Sequence, residues 1–401
     1  MRGYMASSIS VAACAALVLP LSLPTGATAA TPHRVLAPDV PGSTQSLPLP
    51  PAPTARSHNR SADRWLSTSD VGAFSMVGVV WSDPDAELRG SVEVRTRPVG
   101  SGTWSAWQDV ETHNHEHGAD PDTRERATGM VRGATAPLWV GASDAVEVRV
   151  RADSGDPARL PKGLRLELVD PGEAAETAPP RTASVLPAAG PRARRAGAPF
   201  IGPRPRIITR KGWGARESLR ERGLVYTKTV KAAFVHHSAT GNGYSCKQAP
   251  SVLRSIYRYH VVSSGWRDFG YNFAVDKCGN IYEGRAGGVT KPVLGAHTLG
   301  FNRNSMGIAV LGTYSRSNPP ASAVTAVARL TAWKIGLFKG NPKGKVTLTS
   351  GGSGKHYRGK KVRFNVIAGH RDGFTTDCPG SRLYKKLGTA RTVSAKYQGR
   401  R

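Results

Sequence analysis

The sequence predicts an α/β domain, a mixed β-sheet flanked by helices, preceded by a smaller all-β sandwich-like domain. Two patterns and one boundary carry this reading. Between 65 and 170 the chain runs in short stretches of alternating apolar and polar residues separated by Gly, Pro and Asp, the period-2 signature of antiparallel strands. From 207 onward, strand-like runs are interleaved with helical periodicity, which gives helices packed on a mixed sheet. A Pro/Ala-rich stretch divides the two, and 401 residues are enough for two domains with cores of their own.

At the N-terminus, Met1 and Arg2 precede the apolar run ISVAACAALVLPLSL and the small-residue stretch PTGATAA. That order defines a secretory signal peptide over 1–30, cleaved near Ala29 or Ala30. A lipoprotein cleavage box at Cys14 is disfavoured, because most of the apolar run follows it. No later segment approaches the ~20 apolar residues of a membrane span, so a secreted or cell-wall protein without a transmembrane segment is expected. Residues 31–64, dense in Pro, Ser and Thr, read as a tether that buries too little apolar surface to fold.

In the 65–170 region the expected strands are FSMVGVVW, SVEVRTRPV, TWSAWQDV, APLWVG, VEVRVRA and LRLELVD. Val92 and Val94 fall on one face, Glu93 and Arg95 on the other. Trp104 and Trp107 read as core in preference to a glycan platform. HNHEH, His113 to His117, has the clustered imidazoles of a metal site, yet it lies in a polar stretch with no cysteine near it and reads as a solvated loop. This domain is accessory. Residues 171–206, with a basic cluster at Arg192, Arg194 and Arg195, read as a semi-extended spacer or protease-sensitive joint.

In 207–401, KAAFVHHSA is a short apolar strand, and Pro250 opens a helix in which Val252, Ile256 and Tyr259 recur at helical spacing. GYNFAVDK and NIYEGR form a hairpin turning at Cys278 and Gly279; SMGIAVLG is a buried strand. ASAVTAVARLTAWKIGLFKG is a long amphipathic helix stopped by Gly340. The Lys- and Gly-rich segment after it is an exposed hairpin, and NVIAGH returns to the sheet.

Lys plus Arg number 56 against 28 Asp plus Glu, a net charge of +28. Such a balance favours anionic partners such as wall polymers, membrane surface or nucleic acid. The sandwich lacks the interleaved basic and aromatic face of a single-strand binder, so no specific nucleic-acid partner is expected.

Loss of the leader removes Cys14 and leaves Cys246, Cys278 and Cys378. In an oxidising compartment two should pair and the third needs a reason to stay reduced. Cys246, before the first helix, and Cys278, at the hairpin tip, are plausible staple points. Cys378 lies eight positions after His370 in AGHRDGFTTDCPG, and a bound metal would protect its thiolate. A catalytic zinc takes three protein ligands, so a third must come from elsewhere; FVHHSA offers His236 and His237. Neighbours on a strand point to opposite faces, so only one can enter, and spacing does not choose between them.

ITRKGWGAR, FVHHSAT, WRDFGYNFAVDKCGNIYEGR, GAHTLGFNRNSMGIAVLG and AGHRDGFTTDCPG occur in this order. Together they resemble the zinc-dependent N-acetylmuramoyl-L-alanine amidases of type 2, the family that includes the peptidoglycan recognition proteins. The resemblance covers about 207 to 390. It implies His236, His370 and Cys378 as zinc ligands, and Tyr271 and Thr376 as catalytic residues at the oxyanion, Thr376 standing where phage members carry lysine and amidase-active recognition proteins carry threonine. It implies His297 lining the substrate cleft, Asn302 and Asn304 beside it as weaker candidates for the peptide stem, and a Cys246–Cys278 disulfide. The implied activity is hydrolysis of the amide between N-acetylmuramic acid and L-alanine, with peptidoglycan as partner and Zn2+ as cofactor. The rival is a recognition protein that binds without cutting. Such relatives typically lose a zinc ligand, and this sequence retains all three.

Overall fold

In the sheet of the N-terminal domain, buried valines alternate with charged residues along one strand, while another, FSMVGVVW, is buried at almost every position. The computed structural model describes residues 41–52, 63–173 and 200–401; the signal peptide at 1–30 and the arginine cluster at 192–195 lie outside them. The strands are β1 (Thr44–Pro48), β2 (Arg64–Thr68), β3 (Phe74–Trp81), β4 (Gly90–Pro98), β5 (Gln108–Val110), β6 (Gly133–Ala134), β7 (Leu138–Ala152) and β8 (Arg165–Val169). All their pairings are antiparallel, in the order β1-β8-β3-β7-β4-β5 with β2 on β7 and β6 on β3.

APLWVG and VEVRVRA, expected as two strands, belong to the single long β7. Its first part pairs with β3 and its second with β2 and β4, so it passes from one layer to the other, as corner strands do in sandwiches. The turn of direction coincides with Gly141, whose φ of 75° suits a residue without Cβ. Val92, Val94, Val146, Val148 and Val150 face the enclosed core. Outside, Arg149 pairs with Glu93 at 2.7 Å and Arg95 with Glu147 at 2.6 Å.

Two expectations fail here. Residues 44–48, read as tether, form an edge strand, because their backbone pairs with 165–169 and Leu47 packs on the core; backbone pairing needs no apolar composition. Trp104 and Trp107 are half-buried, not core. Trp107 lies beneath the Arg149 and Arg95 guanidinium groups, 4.2 and 5.0 Å from its ring centre, and only residues 108–110 of TWSAWQDV are strand.

The C-terminal domain holds β9 (Ile207–Ile208), β10 (Ala232–His237), β11 (Phe273–Val275), β12 (Ile281–Glu283), β13 (Ser305–Val310), the hairpin β14 (Lys345–Thr349) with β15 (Lys361–Asn365), and β16 (Ile367–Gly369). The sheet order is β16-β10-β13-β11-β12-β9, parallel except for β11 with β12. Its helices follow α1 (Arg124–Ala127) of the first domain: α2 (Arg210–Trp213), α3 (Ala249–Arg258), α4 (Ala321–Leu337), α5 (His370–Gly373), α6 (Ser381–Tyr384) and α7 (Leu387–Tyr397). β10 is central and wholly buried, as its apolar run requires. Ala233 and Val235 pack with Val327, Leu330 and Trp333 of α4, while Ala232 and Phe234 pack on the opposite face. That alternation puts His236 on the face away from α4.

The described residues of the two domains form one compact unit, joined by a shared apolar core. Met76, Val80, Ala134, Trp139 and Val169 of the β-domain pack with Tyr244, Val252, Ile256 and Tyr259. The Tyr259 hydroxyl donates to the Thr135 carbonyl at 3.1 Å, and a Cβ on Gly78 would come within 2.6 Å of the Tyr259 ring, so Gly78 is the residue that lets this tyrosine seat.

Candidate metal centre

His236 and His370 are neighbours because two parallel strands set them there. β10 pairs with β16 with Val235 opposite Gly369, so the next residue of each chain segment, His236 and His370, leaves the sheet at the same level. Their ring centres lie 4.5 Å apart. Cys378 is brought back over them by the loop after α5. The Arg371 amide donates to the Cys378 carbonyl at 3.0 Å, and the Cys378 amide donates to the Thr376 hydroxyl at 3.1 Å. Asp372 accepts from the Gly369 amide at 2.9 Å and the Tyr384 hydroxyl at 2.6 Å, which fixes the start of α5 and with it His370.

The Cys378 Sγ lies 3.7 Å from His236 Nδ1. Zinc bond lengths of 2.0–2.1 Å to nitrogen and 2.3 Å to sulfur in a tetrahedron imply about 3.6 Å between such donors, so the pair fits that ion. Both ring nitrogens of His370 are buried without a hydrogen-bond partner, a state that costs free energy unless something binds there. Burial pushes the His236 and His370 imidazoles well below their ordinary pKa, leaving neutral lone pairs, as metal ligation needs. Burial also pushes the Cys378 thiol up, and a cation would reverse that. His237 faces the other way and accepts from the Tyr314 amide at 3.2 Å.

A fourth donor enters from the β-domain. His117 is buried, and its Nε2 lies 3.9 Å from Cys378 Sγ; one donor atom from each of His117, His236, His370 and Cys378 lies within 4.8 Å of all the others. The ring of His117 is 4.4 Å from that of His370, and its Nδ1 has no partner. Reading HNHEH as a solvated loop therefore holds only for its outer half. His113 is exposed, but Glu116 and His117 are buried, because the partner surface of the second domain, not the loop's composition, decides their environment.

The rest of the segment 111–125 is tied down by polar contacts. Glu116 is fully buried and accepts from the Thr376 hydroxyl at 2.6 Å; burial lifts its carboxyl to about 7. Asn302 donates to the Gly118 carbonyl at 2.8 Å and to Asp120 at 2.7 Å, and Asp120 also accepts from the Gly300 amide at 2.8 Å. Glu125 meets Arg285 through two bonds of 2.8 Å. None of Glu116, His117, Asp120, Glu125 and Arg285 was marked by the sequence as part of the site. The imidazole cluster was the only signal that pointed there.

The remaining residues singled out in the sequence fall as follows. Tyr271 is buried with its ring 5.2 Å from His236 and 5.9 Å from His117. His297 is fully buried behind His236, ring centres 5.3 Å apart, and does not line an open cleft; Thr298 sits between them, its hydroxyl 3.0 Å from His297 Nδ1 and 3.4 Å from His236 Nε2. The side chain of Asn302 is consumed by the fold, its oxygen accepting from the His297 and Thr298 amides, so it has nothing left for a peptide. Asn304 occupies a left-handed turn with φ 58° and accepts from the Lys231 amide through its backbone. Cys246 and Cys278 form a disulfide, and Cys378 is free and buried.

Residues 226–381 match the family described as N-acetylmuramoyl-L-alanine amidase, and residues 30–184 match one described as Rv3811 N-terminal galactose-binding domain-like. Peptidoglycan-recognition protein SC2 of Drosophila simulans is 31% identical over 184 residues, 46% of this chain and 85% of that protein. A human N-acetylmuramoyl-L-alanine amidase is 30% identical over 199 residues, 48% of this chain and 28% of that protein. Among solved structures, Drosophila PGRP-LB aligns at 26% identity with a TM-score of 0.36, covering 46% of this chain and 93% of its own. The second domain of the chain matches most of the length of the Drosophila simulans protein and under a third of the human one, and the chain belongs to the N-acetylmuramoyl-L-alanine amidase family that includes the peptidoglycan-recognition proteins.

Proposed function

We propose that this chain is a secreted, zinc-dependent hydrolase that cleaves the amide between N-acetylmuramic acid and the L-alanine of the stem peptide. The observation that carries the reading is the meeting of His236, His370 and Cys378, with unpartnered imidazole nitrogens and a nitrogen-to-sulfur distance suited to zinc. Bound there, zinc would polarise the amide carbonyl and make a water nucleophilic near neutral pH. The protein's own groups do the rest. Thr298 orients the His236 ring through its far nitrogen, as outer partners of metal-bound histidines do. Tyr271, its ring 5.2 Å from that of His236, would donate its phenolic proton in a hydrogen bond to the developing oxyanion. Thr376, two residues before Cys378, holds that loop through the Cys378 amide.

The basic surface supports a second element of the proposal, attraction to anionic wall polymers. Lys345, Lys361 and Arg363 on the β14–β15 hairpin are exposed, and charges so placed attract phosphate-bearing polymers through a salt-screened field.

The test is incubation with purified peptidoglycan, with and without a chelator, scoring new N-terminal alanine. Chelator-sensitive release that Cys378→Ala abolishes is expected. Undiminished release by that variant would remove Cys378 from the ligand set, and binding of muramyl peptide without any release would identify a recognition protein.

A further inference from the structure

Zinc in proteins is four-coordinate in most structural sites, whereas catalytic sites use three protein ligands and keep one position exchangeable. Here four protein donors converge, and the fourth comes from the other domain. The space left beside them, lined by His117, Tyr271, Thr376 and Cys378, is about 10 Å³. One water fits such a space; a bound muramyl peptide needs hundreds of Å³. Polar groups of the second domain beside the cluster are engaged by the same segment: Thr376 by Glu116 and Arg285 by Glu125.

We propose that His117 is a fourth protein ligand, and that segment 111–125 of the β-domain is a built-in inhibitor that keeps the folded chain latent. What is inhibited rests on the amidase reading above; the ligand set itself does not. The segment and its domain are held differently. The domain is fixed by the apolar core of Met76, Trp139 and Tyr259, which water cannot replace. The segment is held by hydrogen bonds and by the ion pairs of Glu125 with Arg285 and of Asp122 with Arg303 and Arg358, and each of these can be exchanged for bonds to water or substrate at a small net cost. The segment is therefore the part that lifts, with the β-domain still docked, and a muramyl peptide bearing carboxylates and amides competes for the same Thr376 and Arg285 groups.

The test uses the full chain loaded with cobalt(II), whose visible bands report ligand number and exchange, titrated with thiocyanate as a small anionic probe. With four protein ligands the wild-type bands stay unchanged. His117→Ala opens a position, and its bands shift with thiocyanate. The same variant exposes new N-terminal alanine on the stem peptide of a soluble muramyl peptide faster than wild type by about tenfold or more, the expected result when a closed majority state is removed. Glu125→Gln, which leaves all four donors in place, gives a thiocyanate response between the two. A wild-type chain that binds one cobalt through Cys378 yet shifts with thiocyanate as His117→Ala does would overturn the latency proposal and leave the amidase reading standing, and the wild-type titration decides this even if the His117 variant fails to fold. A chain that binds no metal at all overturns both.

Discussion

His117 Nε2 lies 3.9 Å from Cys378 Sγ across 261 positions of sequence and across two domains. This contact makes the candidate metal centre a property of both domains, and it sets what each side chain around it should do when changed.

Cys378 supplies the only sulfur of the cluster. Its replacement by Ala removes a ligand outright, so zinc affinity should fall by more than the roughly 10–100-fold typical of an outer partner. Competition against a chromophoric chelator measures this, with circular dichroism to show that the fold persists.

Thr298 touches both His236 Nε2 and His297 Nδ1. Thr298→Val keeps the shape and deletes the hydroxyl, leaving His236 without the partner that fixes its ring. Zinc affinity should drop about tenfold with the thermal midpoint little changed. An unaltered affinity would show that the β10 backbone alone positions the ring.

Glu125 and Arg285 form a buried pair between the domains. Burial alone would raise the Glu125 carboxyl, but Arg285 and Arg267 outweigh it and hold it below its ordinary 4.5. Leaving Arg285 unpaired in Glu125→Gln should cost about 3 kcal/mol. A carboxyl depressed in the folded state contributes stability above its unfolded pKa that disappears as pH falls through the folded value. The difference in urea midpoint between wild type and variant should therefore be full at neutral pH and shrink below pH 4.5.

The Cys246–Cys278 disulfide spans 32 positions and ties the start of α3 to the β11–β12 turn. Closing a loop of that length stabilises by about 4 kcal/mol in the chain-entropy account. Replacing both cysteines by alanine should lower the thermal midpoint without changing zinc affinity, since neither is near the ligand cluster. A parallel loss of affinity would mean that the hairpin also holds the site.

Exposed lysines and arginines on the β14–β15 hairpin act through a field that salt screens within about 10 Å at 0.1 M. Retention on whole cell walls should fall with added salt more steeply than turnover of a soluble muramyl peptide. Equal losses would place the charge effect at the active site.

Much of this was legible in the residues. Val92 and Val94 against Glu93 and Arg95 announced a two-faced strand, and the register is as that alternation requires. The run around His236, the hairpin at Cys278 and the final return strand ending at Gly369 all formed, because each is specified by local apolar period and turn chemistry. Short strands such as β1 were not legible, since backbone pairing is available to any segment whose neighbour offers a free edge.

What the sequence by itself determined is the order of the elements, the family to which the second half belongs, and three donors suited to zinc. Only the tertiary structure decided that His117, in a polar loop far upstream, joins them, and that the site it completes is closed. The reason is physical: periodicity and turn residues act over a few positions, whereas burial of a polar loop depends on which surface another domain presents to it.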